Sequence, residues 1–296
     1  MFARMSAGAG ALTGLCAATV GIVQHQRRGT DQTSESSSPQ HSKANPHSPP
    51  RSSGDKTRGS GISAAPSGEG KETSGGPAMD FNEYADDVAN RALDLYNDND
   101  WKVARSAEEI SFEDFKKEIK IMYKKSSEFD GHVYRAECTI DAPPEKIIHY
   151  ILPSPKGLRG KWDKNVKESD VIENINENLI IARSATHSAA MGLIASRDFV
   201  DLITVRRYPD RGIVATSSRS VDRKDRPPVD GFVRGVNYHG GTFCSPVDGE
   251  SNKTRVVNIV QTDLCGMIPQ SLVESALPNN LIEFFVDLDN SLKKDY

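Results

Sequence analysis

The sequence is short of the residues that staple, cleave or ligate. Only four cysteines occur in 296 residues (Cys16, Cys138, Cys244 and Cys265), and none stands in a C-x-x-C pair. That spacing argues against a disulfide framework or a Cys/His zinc site and suits free thiols in a reducing compartment. No G-x-S-x-G, H-E-x-x-H or P-loop sequence is present. Hydrolase, metalloprotease and nucleotide-binding readings therefore lose their usual signatures. The stretch Gly8–Gly14 imitates a dinucleotide fingerprint, but its last spacing is wrong and no strand precedes it. His149, His187 and His239 stand singly, as structural histidines usually do. Asp86-Asp87 falls on the polar side of a helix. No reaction, metal or cofactor is expected.

Aromatic residues are missing as well, with none between Phe2 and Phe81. From Arg27 to Met79 the chain holds 12 Ser, 8 Gly and 6 Pro, about half of that stretch. Such a segment cannot bury enough apolar surface to offset its ordering entropy, and it reads as disordered. Residues 1–79 are thus a low-complexity extension, disordered or targeting-like, and residues 80–296 one folded domain with ample length for a single large core.

Positive charge is scarce where a nucleic-acid binder would need it. Residues 1–79 carry a net +3, whereas residues 80–296 carry a net −7, which excludes nucleic acid as the expected partner. Lys116-Lys117 and Lys124-Lys125 read as solvated faces. At the N-terminus, Met5 to Val23 is uncharged and flanked by Arg4, Arg27 and Arg28. Three readings stay open: a mitochondrial presequence, a signal peptide or weak anchor diluted by Gly, Ser and Thr, or an extension with no role in the fold. The third is preferred, with Met79 as the start of a shorter form.

What is present is a run of strand patterns between two helices. Asp80 to Asn97 reads as an amphipathic helix with Tyr84, Val88, Leu93 (or Ala92) and Leu95 on its apolar side. Strands are expected at Trp101–Arg105, Ile119–Lys124 and His132–Ile140, then a short helix from Pro143-Pro144 through Ile151. Further strands follow at Val166–Ile175, Asn178–Thr186, Arg197–Tyr208, Gly212–Val221, Phe232–Cys244 and Thr254–Leu264. A final long helix carries Ile268, Leu272, Ala276, Leu281, Phe285, Leu288 and Leu292 on one side, with a kink expected at Pro278. Closely spaced strands without helical crossovers indicate an antiparallel meander. The class is α+β, a helix-grip architecture: a long curved antiparallel sheet closed by the C-terminal helix over an internal cavity suited to a small apolar ligand.

Several segments carry a family resemblance. They are Gly157-Leu158-Arg159-Gly160-Lys161-Trp162-Asp163, Ser188-Ala189-Ala190-Met191 and Ser196-Arg197-Asp198-Phe199-Val200-Asp201. Later come Pro227-Pro228 with Gly231-Phe232-Val233-Arg234-Gly235, and Thr262-Asp263-Leu264-Cys265-Gly266-Met267-Ile268-Pro269-Gln270. In this order, across about residues 80–295, the chain resembles the START (StAR-related lipid transfer) family and, within it, the small sterol-binding START-only subgroup. The resemblance implies one lipid-sized tunnel, gated by the C-terminal helix and the loop Ser188–Ala195. Met191, Leu193 and Ile194 would form an apolar lid there, working with Leu272 and Ala276 of the helix.

In StAR-like members a buried acid and a buried Arg face the cavity; the matching positions here are Ser184 and Ile203, so that ion pair is missing. Ser184, Thr186 and Asn237 are then the expected hydrogen-bonding end, with Ile180, Ala182, Ile203 and Val205 as apolar wall. The alternative is that Ser184 and Thr186 satisfy one another. Trp162 is a core residue whose indole could also wall the cavity, and Arg197 with Asp198 is expected to pin a strand end as a pair. Two departures from the family pattern stand out: extra length at Glu108–Glu118, read as a loop or short helix at the rim, and Arg223-Lys224 where many members have His-Pro.

The function implied is that of an intracellular, non-enzymatic carrier: a cytoplasmic monomer with transient membrane contact that moves one sterol, oxysterol or bile acid. Mitochondrial targeting is left open by the N-terminal extension. An enzyme on a START-like fold and a lipid sensor without transfer are the rival classes.

Overall fold

The computed structural model describes residues 80–105, 115–188 and 195–294. The extension 1–79, the lid residues Met191, Leu193 and Ile194, and most of the segment Glu108–Glu118 lie outside these residues. The described end of that segment forms no helix, and Phe115 packs half-buried against the core.

Helix α1 (Phe81–Asn97) is capped by Asp80, whose carboxylate accepts the Asn82 N–H at 2.8 Å. Its buried stripe is Ala85, Val88, Ala89 and Ala92, which keeps the expected Val88 and Ala92 and replaces the rest of the expected side. The alanines let the helix lie close on the sheet, so the bulkier Tyr84, Leu93 and Leu95 are pushed to its flanks, where they are half-buried.

The sheet is built from β1 (Lys102–Arg105), β2 (Ile119–Lys125), β3 (His132–Ile140), β4 (Val166–Asn176), β5 (Leu179–Thr186), β6 (Ser196–Tyr208) and β7 (Ile213–Ser220). It continues through β8 (Phe232–Arg234), β10 (Gly240–Val247) and β11 (Glu250–Val260), while β9 (Val236–Asn237) and β12 (Thr262–Asp263) form a separate two-stranded sheet. The order is β1-β2-β3-β11-β10-β7-β6-β5-β4, antiparallel throughout, with β8 added in parallel to the start of β6. The meander thus holds for β4 to β7. From β3 the chain crosses to the far edge through α2 (Pro144–Ile151) and α3 (Arg159–Trp162), the latter a turn of helix the periodicity did not reveal.

The single strand expected over Phe232–Cys244 is three pieces. A Cβ at Gly235 would meet the Phe199 ring at 2.3 Å, so the chain passes β6 too closely to continue alongside it. It leaves to pair β9 with β12, then returns beside β7. The expected strand Thr254–Leu264 likewise divides into β11 and β12.

Side chains alternate between two faces. On the outer face, Leu179, Ile181, Val200 and Leu202 meet Ala85 and Val88 of α1, and Val257, Ile259 and Phe243 meet Ala92. On the inner face, Ile119, Ile121, Ala136, Cys138 and Val256 meet α4 (Gln270–Lys294) through Leu277, Leu281, Phe284, Phe285 and Leu288. The helix continues through Pro278. Among the described residues no helix is long and apolar enough to cross a membrane.

Candidate functional site

Register places a polar stripe on the inner face of the sheet. Ile203 on β6 stands opposite Ser218, and Val205 opposite Thr216, on β7. Thr216 stands opposite Thr242 on β10, and Thr242 opposite Asn258 on β11. All four polar residues are buried. Strands lie about 4.8 Å apart, so from β7 to β11 the stripe crosses about 10 Å. The Thr242 hydroxyl donates to Asn258 Oδ1 at 3.3 Å, and Thr216 Oγ1 accepts the Thr242 N–H at 3.4 Å. Apolar groups flank the stripe. Ile180, Ala182 and Ile203 form one wall with Leu152 and Val171, while the α4-facing core forms the other.

At the β6 end of the stripe sits a fully buried carboxylate, Asp201. It accepts from Ser220 Oγ at 2.7 Å and from Asn237 Nδ2 at 2.8 Å. The Thr262 hydroxyl in turn donates to Asn237 Oδ1 at 2.5 Å. This network joins the short β9/β12 sheet to the main sheet, and it holds Asn237 through both ends of its amide. Thr186 is also committed to the backbone: its hydroxyl accepts the Arg197 N–H at 3.0 Å and donates to the His187 carbonyl at 3.2 Å. Ser184 and Thr186 therefore do not satisfy one another. Among the described residues the Ser184 hydroxyl has no hydrogen-bond partner, and it shares the inner face with Ile180 and Ala182.

Arg197 and Asp198 are structural but do not pair, which corrects that expectation. They are neighbours on a strand and point to opposite faces. Asp198 receives Arg183 at 3.1 Å and Arg234 at 2.9 Å, tying β5, β6 and β8 together. The Arg197 guanidinium is spread over the carbonyls of Ala195, Leu264 and Cys265.

A second charged group lies where α3 meets α4. The Arg159 guanidinium is fully buried between the rings of Trp162 (4.9 Å) and Phe284 (4.8 Å) and pairs with buried Asp163. Trp162 donates its indole N–H to the Tyr150 carbonyl at 2.8 Å, which fixes it in the α2–α3–α4 core, apart from the Ile180–Ala182–Ile203 wall. Burial pushes the Asp163 carboxyl up to about 6 against the pull of Arg159. Burial, then repulsion from Asp287, pushes Glu283 on α4 up to about 7. Desolvation also raises the thiols of Cys138, to about 12, and of Cys244. Both are free and inert as nucleophiles.

The START domain description matches residues 85–295. Mouse StAR-related lipid transfer protein 5 is 39% identical over 208 residues, covering 70% of this chain and 93% of that protein. Human StAR-related lipid transfer protein 4 is 33% identical, covering 71% and 100% respectively. The chain belongs to the START family. The solved structure of human StAR-related lipid transfer protein 5 superposes with a TM-score of 0.65 at 34% identity, covering 72% of this chain and 97% of that one. The sheet closed by α4 is thus the START helix-grip fold, and the relatives' names describe lipid transfer.

Within this START domain the predicted wall residues Ile180, Ala182 and Ile203 come together, and Val205 packs half-buried against the α4-facing core. Ser184 joins them. Thr186 and Asn237 are buried nearby, with their side chains bonded to the protein itself. Of the helix positions, Ala276 is buried, whereas Leu272 is 40% exposed on the first turns of α4. Sequence reasoning missed Asp201, Thr216, Ser218, Thr242 and Asn258. A signal existed in part: Asp201 interrupts the apolar run Phe199–Ile203, as a residue with a special partner does.

Proposed function

We propose that residues 80–296 form a non-enzymatic carrier that encloses one sterol-like molecule between the inner sheet face and α4 and moves it between membranes. The observation that carries this reading is the polar stripe flanked by two apolar walls. A flexible acyl chain has no use for polar groups spread over about 10 Å, whereas a rigid ring system with oxygens along one edge matches them. Ser184, whose hydroxyl lacks a partner among the described residues, can donate to or accept from a ligand oxygen, while Thr242, whose proton goes to Asn258, offers lone pairs to a ligand hydroxyl. Ile180, Ala182, Ile203 and Val205 form the wall. Enclosing roughly 400 Å² of apolar ligand surface is worth on the order of 10 kcal/mol, enough to keep a sterol out of water.

Between an uncharged hydroxylated sterol and an anionic bile acid, the stripe favours the former. Its residues include no base, and Asp201 places a buried carboxylate at one end. Residues 1–79 are an accessory extension, and the carrier works as a cytoplasmic monomer that touches membranes transiently. Native mass spectrometry of the full chain, offered equimolar cholesterol, an oxysterol, a bile acid, phosphatidylcholine and ceramide, tests the reading. One bound sterol per chain is expected. Phosphatidylcholine or ceramide bound instead would overturn it.

A further inference from the structure

The chain reaches α4 through a turn with unusual backbone. Cys265 has φ 51° and Gly266 φ 76°, so two successive residues occupy the left-handed region. For a residue with a side chain that conformation is costly and persists only where the surroundings hold it. The holder is visible. Arg197 Nε donates to the Leu264 carbonyl at 3.2 Å and Nη2 to the Cys265 carbonyl at 3.3 Å, while Nη1 is anchored on the Ala195 carbonyl at the foot of β6. Arg197 is 3% exposed, and among the described residues it has no carboxylate partner. Among the described residues its buried charge is met by main-chain oxygens, two of which belong to this turn. Beside the turn, a cavity of about 210 Å³ opens between the β2–β3 hairpin and the first turns of α4, lined by Tyr134, Thr262, Leu264, Val273 and Leu277.

We propose that Arg197 is a latch: it holds the turn Leu264–Gly266 closed and so sets how often the first turns of α4 lift from the sheet. Lifting that end withdraws two carbonyls from a buried guanidinium and leaves it undersolvated, so the latch acts as a barrier. The arrangement is one-sided. The C-terminal half of α4 is held independently, through Phe284, Phe285 and Leu288 in the core and through the ion pair of Lys117 with Asp289 at 3.1 Å. At its first turns the helix is held by less, half-buried Val273 and the contact of Glu274 with His132 on β3 at 3.1 Å, and that end lies next to the 210 Å³ cavity. As a gate for lipid, the latch rests on the carrier reading; as a property of the helix it does not.

The test pairs Arg197→Lys with Cys265→Gly in the full chain. Lysine keeps the charge but cannot span three divergent carbonyls. Glycine takes φ 51° without strain and tightens the turn. Hydrogen exchange of the ligand-free protein is expected to speed up by about tenfold over residues 264–277 in Arg197→Lys, the loss of roughly one charge-assisted hydrogen bond. It should slow in Cys265→Gly, and β4 and β5 should stay protected in both. Release of dehydroergosterol should change in the same directions. Unchanged exchange at residues 264–277, or faster exchange spread equally over β4 and β5, would overturn the latch. Should Arg197→Lys fail to fold, slower exchange in Cys265→Gly still supports the latch, and unchanged exchange sinks it. Local exchange that shifts as expected while no variant binds the sterol would uphold the latch and overturn the carrier reading.

Discussion

Glu283 offers a perturbation whose size and sign follow from the structure. Its carboxyl lies on α4 near Asp287 and Asp163, and among the described residues its Oε2 is buried without a hydrogen-bond partner. Burial, then the negative neighbours, pushes its titration from 4.5 up to about 7. The unfolded chain therefore loses this proton first. Between pH 4.5 and about 7 the folded state binds more protons, so stability falls as pH rises through that window. The displacement corresponds to roughly 3 kcal/mol, which partial exposure and solvent screening reduce to about 1–2 kcal/mol. Asp163, raised to about 6, acts in the same direction. Asp98, Asp141 and Glu137, lowered by Lys124, Lys117 and Arg135, act in the opposite sense, and only as pH falls below the usual carboxylate range. Stability should thus be greatest near pH 5. Glu283→Gln keeps the shape and removes the charge. Urea unfolding at pH 5 and 7.5 should show the variant matching wild type at the lower pH and exceeding it by about 1–2 kcal/mol at the higher. A variant less stable at pH 7.5, or a difference independent of pH, would refute the reasoning.

Arg159→Met should cost about 3–5 kcal/mol in urea unfolding, because it strands buried Asp163 and opens the sandwich between Trp162 and Phe284. Gly241→Ala should leave little folded protein by circular dichroism, since a Cβ there would lie 2.0 Å from the Thr216 carbonyl on the adjacent strand. Thr242→Val keeps the volume but removes the hydroxyl at the centre of the stripe. It should weaken sterol binding by about five- to tenfold in a fluorescence titration while changing the melting temperature little.

Local pattern carried much of this fold. Alternation located most strands to within a residue or two, because each buries one face and needs every second residue apolar. Glycine also serves the hairpin turns, where Gly212 and Gly249 occupy the left-handed region. What stayed hidden depended on pairing between distant segments. The polar stripe exists only because Thr216, Thr242 and Asn258 fall in register across three strands. The burial of Arg159 depends on α4, more than a hundred residues on in the sequence, which supplies the Phe284 ring. The break after Arg234 came from the approach of Phe199. Of the proposed lining, resemblance pointed to Ser184, Ile180, Ala182 and Ile203, which the fold brings onto one face, but neither spacing nor resemblance disclosed that Asn237 and Thr186 are already bonded to the protein itself.

The central claim is that lipid lies between the inner sheet face and α4. A photoreactive sterol carrying a ring diazirine, cross-linked to the full chain and mapped by peptide mass spectrometry, tests it directly. The account predicts adducts on Ile203, Val205, Thr216, Thr242 or the facing Leu277 and Leu281, lost on competition with unlabelled sterol. Adducts confined to α1 and the outer face, or labelling that competition does not reduce, would contradict it.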